Sequence, residues 1–159
     1  MQSPPPDARI WIDKQSPAPY RALGGVALAV RTAAEAAGLD RALVELINVR
    51  VSQLNGCPSC LNQHTRAAVA AGVTQQQLDV LDAWRRSELY TPLQRAALTL
   101  AELTTALPDE QTLAREYALA RQHMSDDQVS VVIWVATTIG AFNRVSIMSR
   151  HPVRARKEN

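Results

Sequence analysis

The sequence predicts an all-α protein, a bundle of about seven helices, and three observations carry this prediction. Apolar residues make up 47% of the 159 residues and aromatic residues only 4%, a balance that favours packed helices over a β-sandwich. Helix start and stop signals recur at short intervals along the chain. No window of the sequence shows the alternating pattern, bounded by hairpin turns, that is typical of paired strands. This length suits one domain with its own hydrophobic core.

Three segments are predicted: residues 1–19, 20–150 and 151–159. The first is rich in proline and is expected to be an extended N-terminal arm. The second is expected to be the helical domain. The third continues a basic run from Arg150 and is expected to be a solvated, frayed tail. Because the formal charge is only +2 and the other basic residues are dispersed, no nucleic-acid partner is expected.

The first three helices are delimited by glycine, proline and a capping aspartate. Gly38 is a natural stop for the first helix and Gly56 for the second. Asp40 can cap the start of the second, Pro58 suits the first turn of the third, and Gly72 closes it. The predicted ranges are 20–37, 41–55 and 59–71.

The later helices begin at three capping boxes, in which a Thr or Ser is followed three residues later by Gln. These pairs are Thr74/Gln77, Thr91/Gln94 and Ser125/Gln128. They predict helices at about 75–86, 92–106 and 126–149, and a further helix is predicted at 109–122.

The last predicted helix resembles a membrane span in its apolar content. Residues 129–148 are interrupted by Thr137, Thr138, Asn143 and Arg144, so they fall short of the ~20 uniformly apolar residues that a span needs. We interpret the segment as the buried centre of a bundle or as an oligomer contact. The N-terminus has neither the basic start nor the apolar stretch of a signal peptide. The sequence therefore predicts a cytoplasmic protein without a membrane partner.

The only two cysteines, Cys57 and Cys60, stand three residues apart, and His64 follows four residues later. A thiol acts as a nucleophile in its thiolate form, which a helix N-terminus stabilises. His64, one turn beyond Cys60 on the same helix face, can take the thiol proton. Attack of Cys60 on a hydroperoxide would give a sulfenic acid, and Cys57 would then condense with it to form a disulfide. A dithiol reductant would complete the cycle.

Other interpretations of the cysteine pair remain open. Structural zinc needs four protein ligands, whereas only Cys57, Cys60 and His64 stand close together; His123 and His151 are remote in sequence. An inert buried pair and a purely structural His64 are further alternatives. The sequence favours the redox interpretation, with no metal and no cofactor.

Glu45 precedes Cys57 by twelve residues on the second predicted helix. Its ordinary role would be an ion pair with Arg41, one turn earlier. If the helices on either side of Gly56 are antiparallel, Glu45 and His64 both lie some 10–17 Å from the turn, given a rise of ~1.5 Å per residue. Direct contact does not follow from this, and a link through water is the alternative.

These residues carry a family resemblance. Glu45 and residues 51–65, together with 83–85, 94–98 and 143–144, resemble the alkylhydroperoxidase AhpD-like branch of the carboxymuconolactone decarboxylase superfamily. The resemblance covers roughly residues 13–150, and its spacing, Glu–x11–Cys–x2–Cys–x3–His, is highly specific.

The resemblance implies an all-helical domain that self-assembles, often as a trimer or hexamer, with thiol peroxidase activity driven by a dithiol donor. It implies that Cys60 attacks the hydroperoxide, that Cys57 resolves the intermediate, and that His64 and Glu45 relay protons through water. One departure is Ser59, where the best-characterised hydroperoxidases of the family have histidine. The decarboxylase branch lacks this cysteine pair, which argues against lactone decarboxylation.

The leading hypothesis is therefore a homo-oligomeric peroxidase that reduces hydroperoxides through a Cys57–Cys60 dithiol/disulfide cycle. A disulfide oxidoreductase acting on a protein or a small dithiol is the second hypothesis. A non-catalytic, redox-sensing oligomeric domain is the third.

Overall fold

A computed structural model describes residues 8–155, and these residues form α-helices, one 3-10 helix and connecting turns, with no strand among them. The prediction of an all-α bundle is confirmed. The helices are α1 (Ile12–Gln15), α2 (Pro17–Ala36), α3 (Arg41–Asn55), α4 (Pro58–Ala70), α5 (Gln75–Asp79), the 3-10 helix (Leu81–Arg86), α6 (Pro92–Ala106), α7 (Glu110–Arg121) and α8 (Asp126–Ser149).

The helix starts follow the local signals in the sequence. The Asp40 side chain accepts a hydrogen bond of 2.8 Å from the backbone N–H of Leu43, at the start of α3. All three predicted capping boxes form, at the starts of α5, α6 and α8. These bonds satisfy backbone N–H groups that have no partner inside the helix.

The N-terminal arm is shorter than predicted. Residues 8–11 have no regular structure, but α1 occupies Ile12–Gln15 and α2 begins at Pro17 rather than at Tyr20. Proline is well suited to the first helical turn, because its fixed φ matches the helix and its missing N–H has no partner there. The prolines at 17 and 19 therefore start a helix instead of preventing one. The prolines at 4–6 lie outside the described residues.

The single helix predicted at 75–86 is two elements. Helix α5 ends at Asp79. The backbone departs from helical angles at Val80, between the two elements, and again at Ala83, inside the 3-10 helix. The guanidinium of Arg95 donates hydrogen bonds to the carbonyls of Trp84, Arg85 and Ser87, at 3.2, 2.9 and 2.9 Å. These long-range bonds offset the helical bonds lost at the break, and no local pattern signals them. This break and the short α1 raise the number of helices above the predicted seven.

Two hydrophobic clusters form the core, and α3 and α6 contribute to both. One cluster joins α3 and α6 to α2, α7 and α8. The other joins them to α4, α5 and the 3-10 helix. Helix α3 packs against α4, α6 and α8, so it is the helix from which the rest of the site is positioned.

Helix α8 is long and apolar enough to cross a membrane by length and composition, and it is the one such helix among residues 8–155. Half of its most apolar window is buried inside the bundle, where it packs against α2, α3 and α6. This agrees with the interpretation of α8 as a core helix.

The start of the C-terminal tail is held in place rather than frayed. Arg150 adopts a left-handed conformation (φ 53°) that ends α8, and the N–H of His151 donates to the carbonyl of Ser146 at 3.0 Å. The His151 ring then bonds Asp13 through Nε2 at 2.9 Å and meets Trp11 edge-on. The prediction of a solvated tail is wrong for His151. Residues 156–159 lie outside the described residues.

Candidate functional site

The cysteine pair lies where the chain turns from α3 into α4. Gly56 has φ 66° and ψ 40°, the left-handed conformation that glycine adopts without steric cost. Cys57 follows as the residue that caps α4, and Pro58 is the first residue of that helix. Cys57 and Cys60 are joined by a disulfide across the first turn of α4, with their Cα atoms 5.4 Å apart. They are the only cysteines in the chain.

The two sulfurs of the disulfide are in different environments. Cys57 is fully buried, whereas Cys60 is 7% exposed and lines a cavity. The backbone N–H of Cys60 points to Cys57 Sγ at 3.4 Å. This N–H and the start of α4 favour negative charge on Cys57. Cys60 is thus the sulfur that a reactant can reach, and Cys57 is the one that departs most easily as a thiolate.

His64 and Glu45 are in direct contact. The Nδ1–H of His64 donates to Glu45 Oε2 at 2.7 Å, and the side-chain amide of Asn48 donates to the same oxygen at 3.2 Å. The other carboxylate oxygen forms an ion pair with Arg41. The sequence left direct contact open. The structure replaces the relay through water that the resemblance implies with this direct contact, because α3 and α4 pack closely enough for the side chains to touch. The alternative Arg41 pairing is also present, so Glu45 has both partners.

The pKa of Glu45 is lowered from its ordinary value of 4.5. Burial raises it, but the hydrogen bond and charge of His64, the Asn48 amide and the charge of Arg41 together outweigh that effect. An ionised carboxylate only accepts hydrogen bonds, so Nδ1 of His64 carries a proton and neutral His64 has Nε2 as its basic nitrogen. Because His64 is one helical turn after Cys60, this nitrogen can serve as a base for the thiol.

The cavity has a volume of about 320 Å³ and is formed mainly by α2, α3, α4 and α8. Glu45, Cys60 and His64 line it. So does Thr138, whose Oγ1 is buried and has no hydrogen-bond partner among the described residues. The apolar part of the lining is contributed by Ala27, Val30, Val44, Val135, Ile139 and Phe142. An apolar wall beside a few polar groups is typical of small-molecule sites.

Helix α8 supplies residues that hold α4 and the cysteine turn in place. Ser59, between the cysteines, forms a hydroxyl–hydroxyl hydrogen bond with Ser146. Buried Asn143 donates to Ser52 Oγ at 3.0 Å and accepts from Asn55 at 3.0 Å, next to the Gly56 turn. These bonds tie the end of α3 and the start of α4 to one face of α8. Ser59 is thus part of this link.

Sequence reasoning gave no role in the site to several polar residues that line the cavity, among them Asn48, Thr138, Ser146 and His151. In the sequence, Asn143 interrupts the apolar segment and belongs to the family resemblance, and its spacing to Ser146 puts both on one helix face. That spacing was the one available signal for Ser146. Nothing local pointed to Thr138 or His151. Within residues 8–155, no group of three or more His, Cys, Asp or Glu side chains is arranged to hold a metal ion.

Comparison with known proteins places the chain in a family. The model of the carboxymuconolactone decarboxylase family matches residues 17–103, more than half of the chain. The chain belongs to this family. The matched segment contains Glu45, Cys57, Cys60 and His64 and ends before α8. The uncharacterised protein YdfG of Bacillus subtilis (strain 168) is 36% identical over 109 residues, covering 69% of this chain and 74% of that protein.

Two solved structures resemble this family member. ATU0492 of Agrobacterium tumefaciens, a protein of unknown function considered a candidate AhpD antioxidant defence protein, superposes with a TM-score of 0.81 at 25% identity. The match covers 94% of this chain and all of ATU0492. The apo debrominase Bmp8 superposes with a TM-score of 0.74 at 18% identity, covering 89% of this chain and 74% of Bmp8. The second similarity concerns the fold alone.

Proposed function

We propose that this protein is a thiol peroxidase of the alkylhydroperoxidase type. The observation that carries the proposal is the Cys57–Cys60 disulfide, whose reachable sulfur lines the same cavity as the Glu45–His64 pair. A dithiol pair, a base held by a buried carboxylate and a small, partly apolar cavity are the parts that hydroperoxide reduction requires.

The first step oxidises Cys60. His64 Nε2 takes the proton of the Cys60 thiol, and the thiolate attacks the terminal oxygen of the hydroperoxide. The S–O bond forms, the O–O bond breaks, and the leaving alkoxide takes up one proton to become an alcohol. The sulfur is oxidised to a sulfenic acid and the peroxide is reduced. Glu45 keeps the proton on Nδ1, so that Nε2 stays the basic nitrogen.

The second step resolves the sulfenic acid and the third restores the dithiol. Cys57 attacks the Cys60 sulfur, the disulfide forms, and the hydroxyl leaves with the Cys57 proton as water. A dithiol donor then attacks Cys60, the reachable sulfur, and Cys57 leaves as a thiolate stabilised by the start of α4. Two electrons and two protons from the donor balance the cycle. Because this needs a reducing thiol pool, we propose a cytoplasmic location.

A small-molecule disulfide is the second candidate substrate, and the burial of Cys60 favours it over a protein disulfide. At 7% exposure, Cys60 is difficult for a folded protein to approach but open to a small molecule that fits the cavity. Single-turnover rates with an organic hydroperoxide and with a small model disulfide distinguish the two functions. We expect the reduced protein to react faster with the hydroperoxide.

The central test uses the two cysteine variants. We expect Cys60→Ser to lose hydroperoxide turnover by a factor on the order of 10³ or more, because the nucleophile is gone. Cys57→Ser retains the nucleophile, so it should consume one equivalent of hydroperoxide and stop at the sulfenic acid. Mass spectrometry after trapping with dimedone measures that intermediate.

A matched control is Ser87→Ala, a similarly small change outside the cavity, which should cycle at the wild-type rate. Full turnover by Cys60→Ser would refute the proposal. So would a wild-type protein that reduces disulfides but no hydroperoxide.

We also propose that the protein is a homo-oligomer whose contact includes α2. Of the twenty residues of α2, only Ala34 is buried, and Tyr20, Val26 and Leu28 are 39%, 38% and 62% exposed. A second copy with the same apolar helix could cover this face. Light scattering should give a lower mass for Leu28→Glu than for the wild type. An unchanged mass for Leu28→Glu argues against this contact.

A further inference from the structure

Two of the three histidines of the chain line the same cavity, and each is held by a buried carboxylate. His64 is bonded to Glu45 through Nδ1, and His151 to Asp13 through Nε2, at 2.7 and 2.9 Å. The His64 and His151 side chains are 17% and 21% exposed, and the Glu45 and Asp13 side chains 0% and 8%. Cys60 lines the cavity with both rings. The Glu45–His64 pair takes part in the proposed catalytic cycle, whereas that cycle uses neither Asp13 nor His151.

The backbone around His151 is built to turn the ring back onto the bundle. The N–H groups of Arg150 and His151 donate to the carbonyls of Ile147 and Ser146, which is the bonding that closes a helix through a left-handed residue. Here that residue is Arg150 rather than glycine, with φ 53°, a conformation that costs ~1–2 kcal/mol in a residue with a Cβ. Pro152 then prevents the helix from continuing.

The N-terminal segment also holds the His151 ring in position. Asp13 lies in α1, whose first N–H, that of Ile12, donates to Ser149 Oγ at 3.0 Å, so α1 is attached to the end of α8. The ring of Trp11 packs edge-on against the His151 imidazole. His151 therefore has a fixed position at the cavity, and contacts from both ends of the chain set it.

The Asp13 bond determines which nitrogen of His151 is available. The carboxylate occupies Nε2, and Nδ1 makes no hydrogen bond with the described residues. The pKa of Asp13 is lowered from 3.8: burial raises it, and the hydrogen bond and charge of His151, with smaller effects from Lys14 and the backbone, outweigh that. Because Asp13 occupies Nε2, Nδ1 is the nitrogen from which the protonated ring can donate to a group in the cavity.

We propose that His151 is the general acid of the peroxidase reaction and protonates the alkoxide that leaves when Cys60 attacks. This inference rests on the proposed function. The Cys60–O bond forms, the O–O bond breaks, and the alkoxide oxygen takes the Nδ1 proton of His151 to become an alcohol. Neutral His151 regains a proton from solvent. Asp13 acts as a positioning residue, because it fixes the ring and compensates its charge without touching the substrate.

In this mechanism, two different histidines carry out the two proton transfers. His64, one turn from Cys60, removes the thiol proton, and His151 supplies a proton to the oxygen that departs. Each proton transfer assisted in this way contributes about 10²–10⁴-fold to a rate. Ser59, between the cysteines, hydrogen-bonds to Ser146 on the last turns of α8, and the same Ser146 bonds the backbone of His151. The cysteine turn and the proposed acid are thereby tied to one residue.

The test compares two oxidants that differ in their leaving groups. tert-Butyl hydroperoxide releases a strongly basic alkoxide, which needs a proton, whereas peracetic acid releases acetate, which needs none. Prereduced wild type, His151→Gln and Asp13→Asn are mixed with each oxidant. The single-turnover rate of Cys60 oxidation follows from alkylation of the remaining thiols and mass spectrometry. His123→Gln is the matched control, because His123 is exposed after α7 and does not line the cavity.

We expect His151→Gln to slow the reaction with tert-butyl hydroperoxide by about 10²-fold and that with peracetic acid by less than about 3-fold. Asp13→Asn should shift the ratio of the two rates in the same direction, by a smaller factor. Urea denaturation first checks that each variant is folded, because unfolded protein exposes both thiols to either oxidant.

Equal rates in His151→Gln and wild type, or an equal loss with both oxidants, would overturn the assignment. Either result leaves the proposed function standing, provided the wild type is oxidised by tert-butyl hydroperoxide. If the wild type reacts with neither oxidant, the proposed function fails and the assignment fails with it.

Discussion

The Nδ1–H of His64 donates a 2.7 Å hydrogen bond to Glu45 Oε2 across nineteen residues of sequence. The two side chains belong to α4 and α3, which the left-handed residue Gly56 allows to fold back on each other. A fully buried carboxylate is stable there because Arg41, Asn48 and His64 all approach it. This contact makes the thiol site a three-part arrangement of carboxylate, imidazole and Cys60, and the expected effect of replacing Glu45 depends on it.

Replacing Glu45 by Gln should slow Cys60 oxidation by a factor on the order of 10², because the neutral amide no longer fixes the His64 tautomer. The stability effect should depend on pH. Since the pKa of Glu45 is lowered in the folded protein, its stabilisation is complete above 4.5 and is lost as the pH falls through the lower folded value. Urea denaturation at several pH values measures this effect.

The quantity to compare is the difference in free energy of unfolding between wild type and Glu45→Gln. It should narrow as the pH falls below 4.5, and a difference that is constant with pH contradicts the prediction. Glu116→Gln, which disturbs a surface ion pair with Arg115, is the control and should give a small difference throughout.

Replacing Glu102 by Ala should destabilise the fold without altering the site. Glu102 accepts hydrogen bonds from Arg50, Trp84 and Arg85, each at 2.8 Å. Its removal leaves the Arg50 charge and the Trp84 N–H poorly satisfied, at a cost of about 2–4 kcal/mol in free energy of unfolding. Glu116→Ala is the same change at a surface pair and should cost less than about 1 kcal/mol. Similar losses in both variants would show that this network contributes little.

Replacing Gly56 by Ala should cost about 1–2 kcal/mol, because its φ of 66° is unfavourable for a residue with a Cβ. No atom lies within 4 Å of the added Cβ, so the cost comes from the backbone alone. Gly24→Ala, inside α2 and equally open, should instead stabilise by about 0.5–1 kcal/mol. Thermal or urea denaturation that gives both substitutions the same sign would contradict this account.

Replacing Thr138 by Val tests whether its hydroxyl serves a ligand. The Oγ1 atom is buried without a partner among the described residues, so its loss should raise the free energy of unfolding by up to about 1 kcal/mol. If hydroperoxides use this hydroxyl, their KM should rise by about 5-fold, as expected for one hydrogen bond. Thr104→Val, whose hydroxyl donates to Leu100, should lose stability and keep its KM. A Thr138→Val protein that is less stable with an unchanged KM contradicts both expectations.

The helices follow from local sequence because their determinants lie three or four residues apart. Asp40 caps α3 through the N–H of Leu43, and Thr91 and Ser125 form capping boxes as their spacing predicts. Local signals failed at Val80, where the helix breaks and Arg95 satisfies carbonyls in the following 3-10 helix. They also failed at Pro17, where prolines taken to extend the chain start α2.

The candidate site, like the helices, was only partly predictable from the sequence. The sequence pointed to Cys57, Cys60, His64 and Glu45 as a group, because the spacing from Cys60 to His64 is one helical turn and the wider pattern resembles a family. It could not establish that Glu45 touches His64, because that contact depends on how closely α3 and α4 pack. The closed disulfide and the greater exposure of Cys60 than Cys57 also depend on the packed structure.

By itself, the sequence determined the fold class, most helix boundaries and the dithiol at the start of a helix, since backbone geometry fixes which near neighbours meet. Only the tertiary structure decided what surrounds that dithiol. It placed α8 beside the α3–α4 turn, put Thr138 in the lining of the cavity that Cys60 also lines, and brought His151 back to Asp13 through the left-handed turn at Arg150. The separation and rotation of packed helices depend on side chains far apart in the chain, and no local pattern specifies them.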